Sequence, residues 1–484
     1  MPPTPPTPAN RDEAPDRAAG TAAAPAAART AAAPVRERGD ACPGALRLHA
    51  ADDGRLARLR LPAGYLTYRQ AQALATAAER LGDGHLDITS RGNVQLRGLA
   101  ADCGGELAEL LHEAGLLPSQ EHERVRNIVA SPLSGVDEVP PADVFLWARE
   151  LDALLCASPA ATALSGRFLF ALDDGRGDVA GLGADVTLLA RRDGAATVHT
   201  GTYRPGFSVA AADAPRAALL AAETFLTVAT ASGSGAWRVA ELPAEHGRAL
   251  SGAVAARLAE AGIGAGIATE AGIGAGIATE AGIGPEAAHS RAEPPAEPPA
   301  PGLVRSPDGT AAVSVYPPLG RLSAAQWRQL LPVTGTAIRL TPWRGVIVPG
   351  LDPAAASRLL DRLRTAGLIT APDSPWHGVG ACTGRPGCAK ALADVRSDAA
   401  ETLRAVRRDA LPVYWSGCAR RCGHPQGDHV NVIATAGGDY TVSVTGPVPV
   451  PVPVPASELA ATVAAARTPR AATTTATATT AVTR

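Results

Sequence analysis

Lysine is almost absent from this chain: Lys390 is the only one among 45 basic residues, and the rest are arginine. A GC-rich genome produces that bias without a functional cause, so an arginine becomes a candidate here only through the motif around it. Aromatic residues make up 4% of the 484 positions, and the formal net charge is −2. So nearly neutral a chain gives no reason to expect nucleic acid or an anionic membrane as partner. No apolar run approaches the ~18 residues of a membrane span without Gly, Pro or charge. The opening MPPTPPTPANRDEAPDRAAG lacks the apolar core of a secretory signal. The expectation is a cytoplasmic protein, where seven cysteines point to metal or redox chemistry rather than disulfides.

Hydrophobic residues at 46% are ordinary for a globular protein, and 484 residues are too many for one core, so two to four domains are expected. Residues 1–40 are Ala/Pro/Arg-rich and read as disordered. The segment 246–302 holds the decapeptide EAGIGAGIAT twice, a partial third copy and EPPAEPPAP; its Gly density disfavours helix and reads as a linker. Residues 447–484 form a Pro/Thr/Ala-rich tail that opens as polyproline II and continues through a short Ala-rich helical stretch.

The material between resembles itself. LPAGYLT (61–67) matches PPLGRLS (317–323), DITSRGNVQLRGL (87–99) matches RLTPWRGVIVPGL (339–351), and LLHEAGLL (110–117) matches RLRTAGLI (362–369); the last two pairs share an offset of 252 residues. Three ordered matches indicate a duplication, with two half-domains about a pseudo-twofold axis. Each half reads as strand, helix, strand pair, helix, and GRFLFALD, DVTLLARR and HVNVIATA read as further strands. The fold class is α+β, with antiparallel sheets under helices.

Cys382 and Cys388 stand in ACTGRPGCAKA (C-x5-C), and Cys418 and Cys422 in SGCARRCGHP (C-x3-C). Four soft thiolates on two loops suit a 4Fe–4S cubane, and the Gly and Pro around them allow tight turns whose N–H groups face cluster sulfurs. Structural zinc also takes four thiolates, but C-x5-C exceeds its usual spacing. Cys42, Cys103 and Cys156 read as ordinary thiols. At the repeat offset Cys382 falls opposite Ala130, so only one half carries the cysteines.

These motifs resemble the sulfite and nitrite reductase superfamily, in which ferredoxin-like half-domains alternate with domains holding sirohaem and a 4Fe–4S cluster. Within it, ITSRGNVQLRGL, RNIVASPLSG, RLTPWRGVIVPGL, CTGRPGCAKA and SGCARRCGHP look most like the precorrin-3B synthase family of aerobic cobalamin biosynthesis. The resemblance implies half-domains at 41–122 and 303–370, a first sirohaem/cluster-type domain without cysteines at 123–245, and a 4Fe–4S domain at 371–446. It implies O2-dependent hydroxylation of precorrin-3A at C-20 with closure of a γ-lactone. It also implies a mononuclear non-haem iron, and electrons that come ultimately from NADH through a separate donor protein. One chain supplies both halves, which is compatible with a monomer. The alternatives are a sirohaem-dependent sulfite or nitrite reductase, and a non-catalytic tetrapyrrole binder. Against the reductase, the stretch that commonly carries a basic residue, an aromatic and Lys or Asn reads Arg167, Phe168, Leu169 here.

A precorrin carries eight carboxylates, so fixed guanidinium groups are expected in its pocket. By their motif positions the candidates are Arg91, Arg97, Arg126, Arg167 and Arg344, with Gln95 and Asn127 as hydrogen-bonding partners. Two His and a carboxylate make a common oxygen-activating iron site. His424, His429 and Asp428 after the second cysteine pair, and His377 before the first, supply those residue types without an established spacing.

Overall fold

A computed structural model describes residues 40, 42–137, 143–268, 298–331, 335, 337–403, 410–425, 427–445 and 451–468. The expected disorder of 1–40, apart from Asp40, the decapeptide repeats beyond residue 268 and the final Thr/Ala run lie outside the described residues.

The first half-domain runs β1 (His49–Ala51), β2 (Gly54–Leu59), β3 (Tyr65–Leu66), α1 (Tyr68–Leu81), β4 (His85–Ile88), β5 (Val94–Leu99) and α2 (Gly104–Glu113). The next domain runs β6 (Ile128–Ala130), α3 (Val144–Ala157), β7 (Phe170–Asp173), β8 (Val186–Ala190), β9 (Ala195–Thr200), β10 (Tyr203–Ala210), α4 (Ala214–Ser232), α5 (Ala244–Glu260) and β11 (Gly266–Ile267). The second half-domain follows as β12 (Gly302–Arg305), β13 (Ala311–Val315), β14 (Arg321–Ser323), α6 (Ala324–Gln329), β15 (Ile338–Leu340), β16 (Val346–Leu351) and α7 (Pro353–Thr365). The cysteine-bearing domain closes the chain with β17 (Val379–Ala381), α8 (Val395–Thr402), β18 (Val413–Ser416), β19 (Val430–Ala434), β20 (Tyr440–Val444), β21 (Val452–Val454) and α9 (Leu459–Ala466).

The two half-domains exchange strands. One sheet has the order β1-β2-β5-β4-β14 and the other β12-β13-β16-β15-β3, so each half lends an edge strand to its mate. The matching motifs explain the exchange. Ala63 and Leu319 both take positive φ, at 55° and 57°, and turn the chain across the axis. At the neighbouring Gly64, with φ 63°, an added Cβ would lie 2.0 Å from the Leu340 carbonyl oxygen. Thr67 and Ser323 then start α1 and α6 with the same capping box, to Gln70 and Gln326. Trp327, fully buried on α6, donates Nε1–H to the Ala71 carbonyl of α1 at 2.8 Å. The two halves share one hydrophobic core, which holds Leu74 and Leu96 from one and Trp327 and Leu359 from the other.

The other two domains carry separate cores. Their sheets, β11-β10-β9-β8-β7-β6 and β17-β18-β19-β20-β21, correct the all-antiparallel expectation. In both, the first three strands run parallel and the rest antiparallel. The parallel order needs crossover connections, which α3 and α8 help to supply.

Two boundaries also move. The linker does not begin at 246: α5 buries Leu250, Val254 and Leu258 in the core of the first domain, and β11 pairs with β10. Glycines discouraged a helix there, but apolar residues four apart supply the buried stripe that decides it. The tail does not begin at 447: β21 extends the last sheet, and α9 buries Leu459 and Val463 against it. Alternating Val and Pro suits an edge strand, because only every second N–H must pair.

Candidate functional site

The four cysteines occupy the two loops that leave the parallel strands β17 and β18. Cys382 directly follows β17, and its N–H bonds the Trp415 carbonyl at 2.9 Å. The Gly417 N–H, just past β18, points at Cys382 Sγ at 3.2 Å. Gly417 has to be glycine, because a Cβ there would stand 2.7 Å from that of Ala391 in the first loop. The Tyr414 hydroxyl donates to the Cys422 carbonyl at 2.7 Å and braces the second loop. Arg97 crosses from β5 to clamp the first loop: it pairs with Asp53 at 2.7 Å and donates to the Gly387 carbonyl at 2.5 Å.

This arrangement fits a 4Fe–4S cluster. The Cys422 thiol is pushed up by desolvation first, with Cys418, Cys382 and Cys388 close enough to add to the rise. Tetrahedral zinc, with Zn–S near 2.3 Å, would draw thiolates to about 3.8 Å of one another. Among the described residues, the only metal-capable group whose ligand atoms all lie within 4.8 Å is Asp173, Asp174 and Asp178, so the cysteine sulfurs are spread more widely than a zinc site requires. That spread, and a backbone N–H on sulfur, suit a cubane.

Beside these loops a cavity of about 890 Å³ opens between the two cluster-type domains and the half-domain turns. Four arginines line it: Arg91, Arg167, Arg238 and Arg344. Trp343, Trp376 and Tyr414 give it flat apolar surface, and Gly423 and His424 bring the second cysteine loop into its wall. Arg167 pairs with Glu241 at 3.3 Å and stands 5.8 Å from the Trp237 ring. Arg238 is held by Asp185 at 2.5 Å. Arg344, at φ 62°, donates to the Gly423 carbonyl at 2.6 Å over the Tyr414 ring, and so ties the cavity to the cysteine loop. Burial pushes Arg91 down to about 10, and the nearby Arg238 cation adds to the fall.

Behind Arg91 lie two arginines that the motifs did not single out. Arg60 is buried, and its Nε and Nη1 have no hydrogen-bond partner; burial, then Arg58 and Arg91, push it down to about 9. Arg58 has an unpartnered Nε and lies near enough to feel Cys422. Stacked cations short of acceptors are costly unless an anion joins them. Their signal was present in LARLRLPAG, where an Arg-x-Arg alternation at the end of β2 puts both on one side of the extended chain.

Other candidates have structural partners instead. Gln95 accepts a hydrogen bond from Arg58 at 3.0 Å, so it positions that cation. Arg126 does not line the cavity: both arms bind Asp152 of α3 at 2.7 Å, and Nη1 caps the Leu116 carbonyl. Asn127 spans Asn93 and the Phe168 carbonyl, at 3.0 and 2.9 Å. Both satisfy buried backbone and side-chain groups where the domain joins its half-domain.

The histidines do not make an iron site. His429 is buried with both ring nitrogens engaged, Nδ1 with the Gly427 carbonyl at 2.8 Å and Nε2 with Asn431 Oδ1 at 3.2 Å. His424 lines the cavity and uses Nδ1 on the Arg421 carbonyl. Among the described residues no histidine joins a carboxylate group compact enough to share an ion. The two-His-one-carboxylate expectation therefore does not fit, because His429, just before β19, spends both ring nitrogens on the Gly427 carbonyl and Asn431.

Repeat geometry corrects one further expectation. The counterpart of Cys382 is Ser131, not Ala130: Ser131 follows β6, bonds the Leu172 carbonyl at 3.0 Å, and its Oγ accepts the Asp174 N–H at 3.1 Å, as Cys382 Sγ accepts that of Gly417. The connection to β17 is one residue shorter than that to β6, which shifts the offset to 251.

No helix among the described residues is long and apolar enough to cross a membrane. The nitrite/sulfite reductase ferredoxin-like half domain matches twice, at residues 49–114 and 304–366. The chain is 27% identical over 421 residues to a precorrin-3B synthase of Sinorhizobium sp, covering 84% of this chain and 83% of that protein. It is 28% identical over 403 residues to the ferredoxin–nitrite reductase of Synechococcus elongatus, covering 77% and 74%. The NirA protein of Mycobacterium tuberculosis superposes with a TM-score of 0.63 at 19% identity, over 84% of this chain and 79% of that one. The chain thus carries the nitrite/sulfite reductase ferredoxin-like half domain twice, with strands exchanged between the copies and a four-cysteine loop pair beside the axis, and in these features it resembles the nitrite and sulfite reductases.

Proposed function

We propose that this chain is an oxygen-dependent tetrapyrrole hydroxylase of the precorrin-3B synthase type, converting precorrin-3A to precorrin-3B by hydroxylation at C-20 with γ-lactone closure, in cobalamin biosynthesis. The observation that carries this reading is the cavity of about 890 Å³ lined by Arg91, Arg167, Arg238 and Arg344 beside the cysteine loops. Its four cations suit a macrocycle rimmed with carboxylates, and its indole and phenol rings suit the macrocycle face. Leu169 lines the cavity where a reductase of the superfamily commonly has a polar or basic residue. A leucine neither binds nor protonates a sulfite or nitrite oxygen.

A 4Fe–4S cluster on Cys382, Cys388, Cys418 and Cys422 supplies one-electron steps when bound. The protein's own part is placement. Arginines on opposite walls hold the carboxylates and fix which meso carbon faces the cysteine loop. Arg344 couples that loop to the ligand wall through Gly423. The substrate's own acetate closes the lactone, so no protein nucleophile is required. Oxygen and precorrin-3A are the substrates, with electrons coming from NADH through a separate donor protein.

A second reading, a sirohaem-dependent nitrite or sulfite reductase, is favoured by the likeness to the Synechococcus enzyme and by Gly423 and His424 of the Cys422 loop lying in the cavity wall. Visible spectra of anaerobically purified protein, before and after dithionite, separate the two. A broad iron–sulfur absorption that bleaches, without a sirohaem band, together with precorrin-3A gaining one oxygen atom in mass on aeration, is the expected result. A Soret band that survives desalting, with nitrite or sulfite turnover, overturns the hydroxylase reading.

A further inference from the structure

The first cluster-type domain carries a group of three buried carboxylates where its mate carries cysteines: Asp173, Asp174 and Asp178. Two are fully engaged. Asp173 accepts N–H bonds from Gly175, Gly177, Val179 and Ala180, at 2.8–3.0 Å. Asp174 is gripped by Arg176, whose remaining donors go to Asp137. Asp178 differs. It is only 4% exposed, yet it lines the ligand cavity. Its Oδ1 accepts the Ser131 hydroxyl at 2.6 Å, while its Oδ2 stands 3.9 Å from Arg176 Nε, too far for a hydrogen bond.

A charged Asp178 would face the carboxylates of an arriving macrocycle at close range, with Asp173 and Asp174 behind it. We propose that Asp178 takes up a proton when a polycarboxylate tetrapyrrole binds and, as a neutral carboxyl, donates it in a hydrogen bond to a ligand carboxylate. This rests on the tetrapyrrole reading given above. Two carboxyl groups sharing one proton avoid the repulsion that two carboxylates suffer. A cavity-lining carboxyl with one oxygen uncommitted is the geometry the bond needs. Burial also raises this carboxyl to about 7, with the Ser131 bond and Arg176 opposing and Asp173 and Asp174 assisting, so the proton is taken up readily near neutrality. Arg91, Arg167, Arg238 and Arg344 line the same cavity; His377, His424 and Asp428 are the remaining wall groups able to gain a proton.

The test is calorimetric titration of the full-length, cluster-loaded chain with uroporphyrin III, an octacarboxylate macrocycle, in buffers of differing ionisation enthalpy at about pH 6.5 and about pH 8.5. Wild-type protein is expected to take up close to one more proton per ligand than Asp178→Asn at the higher pH, and only a fraction of one more at the lower. Asp178→Asn is expected to bind at least ~10-fold more tightly than wild type at about pH 8.5 and to lose that advantage at about pH 6.5. Asp178→Ser, which also cannot titrate, should remove the same proton. The histidines and Asp428 are untouched in both variants, so equal proton uptake by wild type and variants overturns the assignment to Asp178. Failure of wild type to bind uroporphyrin III at either pH overturns the tetrapyrrole reading, and this inference with it.

Discussion

Two loops in this molecule have the same backbone and opposite chemistry. After β17 and β18 the chain presents Cys382 Sγ to the Gly417 N–H; after β6 and β7 it presents Ser131 Oγ to the Asp174 N–H. In the cysteine loops the polar backbone of a tight turn is arranged around sulfur. In the other copy the Asp173 carboxylate gathers four N–H groups by itself, and Arg176 ties the loop to Asp137. A duplicated strand–loop pair needs some anion at its centre, because the turn directs several N–H dipoles inward. Cysteine sulfur meets that need on one side and a carboxylate on the other.

The comparison breaks most directly at the thiolates. Cys418→Ser should leave the protein without stoichiometric iron and sulfide and lower turnover by at least roughly 100-fold; iron analysis with visible absorption checks it. Retention of the full spectrum would remove Cys418 from the ligand set. The mirror experiment is Asp173→Ala. It orphans four N–H groups, that of buried Val179 among them, and should cost about 3 kcal/mol or more, lowering Tm on the order of 10 °C while iron content stays unchanged. A drop in iron content instead would mean that the first domain shares the cluster.

Arg91→Ala and Arg238→Ala probe the cavity between the loops. Each should weaken binding of an octacarboxylate porphyrin by roughly 10-fold, since a charge-assisted bond to carboxylate contributes about 1.5–3 kcal/mol. Arg126→Ala should leave that affinity unchanged and lower Tm, because its partner is Asp152.

The same loop predicts a pH dependence of stability. Asp178 holds its proton to about 7 in the folded chain, against 3.8 ordinarily. The folded state therefore binds the proton more tightly than the unfolded one. Stability from this group falls as pH rises from about 4 to about 7 and then levels off. Asp178→Asn should flatten that decline by a few degrees of Tm, as calorimetry between about pH 5 and about pH 8 would show. The smallest effect belongs to the shared core: Trp327→Phe removes the bond to Ala71 and should cost about 1 kcal/mol. Appearance of a separate second transition, rather than a uniform shift, would show that the half-domains fold independently.

Much of the site was legible because it is local. Cysteine spacing, glycines beside it and the repeated turn motifs are contiguous in the chain, and short-range sterics decide what they do. Arg91, Arg167 and Arg344 were found through motif position, and the structure brings them to one cavity. Arg126 and Asn127 stood in equally good motifs but turn toward Asp152 and Phe168, a choice made by which partner lies within reach. Arg58 and Arg60 were passed over because a strand face looks alike in sequence whether it meets solvent or a buried site. The α5 helix was missed because its glycines outweighed a short apolar stripe whose partners lie far along the chain; α9 was legible as a short Ala-rich helix, but not its packing against the last sheet.

By itself, the sequence determined the duplication, the four-cysteine constellation and the α+β class, since each depends on residue identity at short or constant spacing. Only the tertiary structure decided that β3 and β14 change places between the halves, that the first three strands of each cluster-type sheet run parallel, that His429 is spent on Gly427 and Asn431, and that Asp178 alone of the three clustered acids lines the cavity. Those outcomes depend on which distant segment supplies a hydrogen-bond partner or excludes water, and no local pattern encodes that.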